Sequence, residues 1–161
     1  IHFYGSYDYV ADSYKWHQRE VRIIRNDKNI HSYKDALGFR KAGNGKLRVK
    51  HSGGLIHHYG YVKPPDKMMN KAKAMERLWH DDEWIEKNVG EQTEYDYSKI
   101  DSLKKFEGPH PAVMQERIER TNWPFKFDTN RSRVKIKYRL RKWVNEKLGI
   151  SIGGYRNYNG I

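Results

Sequence analysis

The 161-residue chain has no cysteine. That excludes disulfide frameworks and thiolate metal sites, and it suits a reducing cytoplasm. No stretch approaches the ~20 apolar residues of a membrane-spanning helix, and no secretory leader is visible. No glycine-rich loop runs from a strand into a helix to cradle phosphate; Gly43, Gly45, Gly53 and Gly54 belong to turns. The histidines at 51, 57, 58 and 80 match neither a His-Glu-x-x-His nor a finger spacing, which argues against a zinc site. Spacing alone supports no Ser-His-Asp set. Internal repeats and low-complexity segments are absent.

What is present is positive charge and aromatic side chains. There are 32 Lys and Arg against 20 Asp and Glu, a formal +12. Such a surplus attracts anions: nucleic acid, phosphorylated sugars or an acidic membrane face. Aromatics make up 14% of the chain, with twelve Tyr and five Trp, so this is a folded basic domain and not a disordered basic tail. Rings of this number furnish a core; beside bases and amides they also suit the stacking of a pyranose. The length fits one domain, residues 1–161. The chain opens on Ile1 and runs straight into Phe3, Tyr4, Tyr7 and Tyr9, and its beginning is expected to lie elsewhere.

The β-branched run from Trp16 to Arg25 predicts a strand, and Asn26, Asp27 and Asn29 a turn. Short extended segments are expected at Leu37–Lys41, Leu47–Lys50 and Leu55–Tyr61, separated at Gly43–Gly45 and Ser52–Gly54. Pro65 and Asp66 suit a helix start, and Met68, Ala72, Met75 and Trp79 predict one core face of a helix over 66–80. A short helix around Trp84 and Ile85 is expected next, then a long loop over 88–108, then a helix from Pro111 to about Thr121. Residues 131–141 alternate basic and apolar with period two, as in a strand. Ile136, Leu140, Trp143, Val144 and Leu148 also share a helix face, with Gly149 as a cap, and a helix over 136–148 is the preferred reading. The fold class expected is therefore α+β: a small mixed sheet within residues 1–62, packed by helices in 63–161.

Several of these segments, in order, carry a resemblance. "WHQREVRIIRN", "SYKDALGFRK", "IHHYGYVKPPDKMMNKAKAMERLWHDDEW" and "FEGPHPAVMQERI" resemble the second half of bacterial family-2 glycosyltransferases of the GT-A type. The resemblance implies the acceptor-side, carboxy-terminal portion of a partial GT-A fold. The parent activity would move a sugar from a nucleotide-sugar donor to a glycan or lipid-linked acceptor of the cell envelope, with inversion. The family's donor half and its Asp-x-Asp metal motif are not found in the chain, so the chain alone is expected to be inactive. Asp35 falls where relatives carry an acidic residue. His58 looks like the family's late histidine, which joins the Mg²⁺ or Mn²⁺ on the donor pyrophosphate. The doubled histidine leaves His57 and His58 both open.

The chemistry is reasonable for these residue types. A carboxylate such as Asp35 would take the proton of the attacking acceptor hydroxyl; alternatively it is an ordinary turn residue near Gly38. A neutral imidazole at His58 offers one metal bond, and on a strand only one of His57 and His58 faces a given side. Trp79, His80, Asp81, Asp82 and Trp84 would form an acceptor wall, or the acidic residues simply start the next helix as cap and first turn. The rival reading is a basic nucleic-acid-binding domain without enzymatic activity: run 131–142 would neutralise phosphates while Tyr138 and Trp143 stack bases. No recognisable nucleic-acid module accompanies those charges. A third reading rests the basic stripe on an anionic membrane, placing the protein in the cytoplasm, peripheral to the inner membrane face.

Overall fold

A computed structural model describes residues 1–13, 15–16, 19–34, 38–130, 132–148 and 157–161. In chain order the elements are β1 (His2–Tyr4), β2 (Tyr9–Ala11), β3 (Ile30–Tyr33), β4 (Gly38–Lys41), β5 (Leu47–Val49), β6 (His58–Tyr61), α1 (Pro65–Glu76), α2 (Asp82–Asn88), β7 (Leu103–Lys105), α3 (Gln115–Glu119), α4 (Ile136–Leu148) and β8 (Tyr158–Gly160). The fold is α+β. Among the described residues no helix is long and apolar enough to cross a membrane. The chain divides into two units: Ile1–Ser13 with Ile56–Lys135, and Tyr14–Leu55 with Ile136–Ile161.

The first unit is built on a four-stranded sheet of order β6-β1-β2-β7. β1 runs parallel to β6 and antiparallel to β2, and β7 closes the other edge antiparallel to β2. Successive residues of a strand point to opposite faces, and β1 uses both for aromatic packing. Phe3 stacks on Tyr59 at 4.5 Å and meets the edge of Phe106 at 4.8 Å. Its neighbour Tyr4 stacks on Tyr61 and meets Tyr97 edge-on. Burial, then a hydrogen bond with Tyr95, pushes the Tyr4 phenol well above its ordinary value, so it stays neutral. Phe3, Tyr7, Val10 and Val62 form the apolar centre, with Met114, Ile118 and Trp123 packed against it.

Pro65 opens α1 at its first turn, as expected, because a proline there forfeits no hydrogen bond. The helix buries Met68 and Met69 and ends at Glu76, not at residue 80. Trp79 is therefore not the end of a core face: it lies in the turn beyond the helix, 76% exposed. The expected loop over 88–108 is also corrected. It contains a 3-10 turn at Tyr97–Lys99 and the edge strand β7, and it buries Tyr97, Ile100 and Leu103. These, with Phe106, recur every third residue, a spacing that fits neither a helix nor an alternating strand.

The second unit holds two strand pairs. β3 and β4 are antiparallel, in register from Ile30↔Lys41 to Tyr33↔Gly38. β5 pairs parallel with β8. A tight turn at Ala42–Asn44, with Gly43 and Asn44 at positive φ, returns the chain so that Arg40 bridges Lys46. Arg40 is buried, its guanidinium 4.4 Å from the centre of the Tyr33 ring, and it donates to the carbonyl of Asn157 at 2.9 Å. The strand expected over Trp16–Arg25 is not found: none of the described residues there is in a strand, and Ile23 is 79% exposed. The alternation of Val21 and Ile23 with arginines has the right period, but among the described residues no neighbouring backbone supplies the ladder a strand needs. β3 forms instead just past the Asn26–Asn29 turn, where β4 can fold back on it. The helix preferred over 136–148 is α4, and residues 132–135 before it are irregular.

Candidate functional site

The turn between α1 and α2 gathers five of the residues singled out by sequence. Asp81 is the N-cap of α2: its side chain accepts from the Trp84 backbone N–H at 2.9 Å. Asp82 and Glu83 follow in the first turn, at the positive end of the helix dipole. The structural account of this acidic run is thus realised, and it also orders the aromatic groups. The cap fixes Trp84, and the His80 ring lies flat on the Trp84 indole, centroids 3.7 Å apart and 11° from parallel. Arg77 donates to the Asp82 carboxylate at 3.0 Å, and Glu76 reaches the other side of His80 at 3.7 Å. Trp79 stands exposed nearby in sequence, so the surface presents indole faces among carboxylates.

The strand expected from Leu55 begins only at His58, so His57 precedes β6 and the two adjacent histidines have different surroundings. His57 stacks on Phe3 at 5.7 Å and on Tyr59 at 6.2 Å. Burial above all, and His110 as well, holds its imidazole below the ordinary value. His58 is exposed on β6, opposite His2 in register, with ring centroids 5.1 Å apart. Its ring also lies 6.5 Å from that of Tyr61. A hard cation such as Mg²⁺ or Mn²⁺ takes oxygen ligands, and among the described residues no group of three or more His, Asp or Glu is arranged to hold a metal. The surroundings of His58 alone do not fit that ion. Asp35 lies outside the described residues.

Two features escaped the sequence. An open cleft of about 700 Å³ runs beside β2 and β7, lined among others by Val10, Asp12, Lys104, Lys105, Phe106 and Glu107. Asp12 faces Lys104 across 3.8 Å, and its backbone N–H donates to the Ser102 carbonyl. The every-third-residue run Tyr97, Ile100, Leu103, Phe106 was the available signal that this segment is not a free loop. The second is His110, which shares a 2.9 Å hydrogen bond with the Tyr59 hydroxyl against the Phe3 cluster.

The charge is distributed very unevenly. The sequence of the second unit has 17 Lys and Arg against 4 Asp and Glu, a net +13; that of the first has 15 against 16, a net −1. The surplus of the whole chain therefore belongs to the second unit. Comparison with protein-family models, with curated proteins and with solved structures finds no match to the chain.

Proposed function

We propose that the chain is the acceptor-side portion of an inverting sugar transferase of the family-2, GT-A type, acting on a glycan or lipid-linked acceptor. The observation that carries the reading is the α1–α2 turn. An N-cap carboxylate orders Trp84, on which His80 stacks, with the exposed Trp79 next to His80 in the chain and Asp82 and Glu83 in the first turn of α2. Flat rings take the C–H face of a pyranose, while carboxylates and imidazole accept and donate to its hydroxyls. The order of the four resembling segments supports the same reading.

In this reading Asp35 removes the acceptor hydroxyl proton as the oxygen attacks the anomeric carbon, and the bond from that carbon to the diphosphate breaks. Asp12, in the cleft of the first unit, is the second carboxylate to examine for that role. A cytoplasmic location, at the inner membrane face, goes with a nucleotide-sugar donor and a lipid-linked acceptor.

The test is a titration of the chain with glycosides of hexoses, N-acetylhexosamines and heptoses, followed by indole fluorescence. A saturable change is expected with at least one class, weakened about two- to tenfold by Trp79→Ala or Trp84→Ala, the range of a single aromatic contact. Silence toward every glycoside, together with polyuridylate binding that salt abolishes, would favour the nucleic-acid reading instead.

A further inference from the structure

α4 carries its apolar side chains on the wrong side for a helix packed into a core. Ile136, Leu140 and Trp143 follow at i, i+4 and i+7 and so share one face. They are 81%, 60% and 54% exposed. The half-buried residues of the helix, Tyr138, Arg141, Lys142 and Asn145, are polar or amphipathic and cluster on the opposite face; Val144 sits between the two. Lys137 and Arg141 lean over the Tyr138 ring at 5.0 and 5.9 Å. Arg139 and Lys147 are exposed alongside the apolar stripe. In sequence the helix has five Lys and Arg and one acidic residue, within a unit of net +13.

We propose that α4 is an interfacial helix that lies flat on an anionic lipid surface. Its Ile136–Leu140–Trp143 stripe would enter the boundary between headgroups and acyl chains, with the flanking cations on lipid phosphates. Charge complementarity selects this occupant. A second copy of the chain would bring two +13 units together. RNA would satisfy the cations but give Ile136 and Leu140 nothing to contact. A bilayer of anionic lipid meets both, since an amphipathic helix with basic flanks and Trp or Leu on its apolar face binds in the interface plane. Lys147, one turn beyond Trp143 on the same face, can lay its aliphatic stem along the stripe with its ammonium at the phosphates. The inference rests on charge and exposure and stands apart from the sugar-transfer reading.

The experiment is flotation of the full chain with vesicles of phosphatidylcholine alone, or of phosphatidylcholine and phosphatidylglycerol in equal parts. Binding is expected only to the anionic vesicles, with a blue shift of indole emission. Trp143→Phe should retain most binding and lose the shift. Leu140→Glu should abolish binding; the site is exposed, and an unchanged circular dichroism spectrum confirms that the variant folds. Arg139→Gln and Lys147→Gln should each weaken binding about fivefold, the effect of roughly 1 kcal/mol per surface cation. Equal binding to both vesicles, failure to bind either, or a Leu140→Glu variant that floats as well as the parent would each overturn the proposal. So would self-association that Leu140→Glu dissolves without any vesicle binding, or polyuridylate displacing the vesicles from a chain whose binding Leu140→Glu leaves unchanged.

Discussion

At the residue scale the most informative position is His57, because its neighbours explain both its charge state and a pH dependence. Its ring is part of the aromatic stack on Phe3 and Tyr59. Burial first, and His110 with it, opposes the imidazolium, so the folded value lies below the ordinary 6.5. Near and below 6.5 the unfolded chain binds a proton that the folded chain refuses. Stability from this residue is therefore complete above that value and falls as the pH drops through it toward the folded value. Urea midpoints taken on both sides of 6.5 should show a loss on the acid side, and His57→Asn should flatten it. A His57→Asn variant with the same acid-side loss as the parent would assign the effect elsewhere. His58, one residue on, is the first residue of β6 and is exposed. The doubled histidine thus divides into a packing ring just before the strand and a surface ring on it.

At the element scale the β1–β2 connection shows how a three-residue strand is made to hold. Gly5 follows β1 at φ +74°, a left-handed conformation that costs other residues about 1–2 kcal/mol. A methyl group there would also lie 2.4 Å from the Phe125 ring, which packs on Tyr9 and Tyr97. The Gly5 carbonyl accepts from the Trp123 indole N–H at 2.9 Å, tying the end of the unit to the turn. Gly5→Ala should therefore destabilise by about 2–4 kcal/mol, the backbone cost plus that of overpacking a fitted site. Urea unfolding would measure it, and a loss below about 1 kcal/mol would mean that Phe125 moves aside freely. Legibility varied among elements for physical reasons. α1, α2 and α4 were readable because a proline, a capping aspartate and a helical apolar face are local signals. β1 and β2 were not, since three residues are too few to display a period and, besides each other, they pair with β6 and β7, far along the chain. Trp16–Arg25 misled for the converse reason: strand propensity was present, and among the described residues a pairing partner was not. In the candidate site, the Asp81 cap was visible in the sequence. The Asp12–Lys104 cleft was not, because it depends on β7 pairing with β2.

At the scale of the whole molecule, composition concealed a division. A formal +12 spread evenly would describe a basic surface; a net −1 in one unit and +13 in the other describes two electrostatic characters in one chain. Like charges held together oppose compaction, and among the described residues of the second unit the buried hydrophobic side chain is Leu47, with the cationic Arg40 also buried. The two units should therefore respond differently to salt. Raising sodium chloride from about 0.1 M to about 1 M shortens the screening length from roughly 10 Å to 3 Å, less than the spacing of most surface charges. Fluorotryptophan incorporation separates the units by signal: Trp16 and Trp143 report the second, and Trp79, Trp84 and Trp123 the first. Fluorine NMR melts should show the Trp16 and Trp143 transitions moving up by about 4 °C or more, the effect of roughly 1 kcal/mol on a small domain. The other three should move by less than half as much. If all five shift together, or if Trp16 and Trp143 stay where they are, then self-repulsion does not govern the stability of the second unit, because the near-neutral first unit serves as the control for every non-electrostatic effect of the salt.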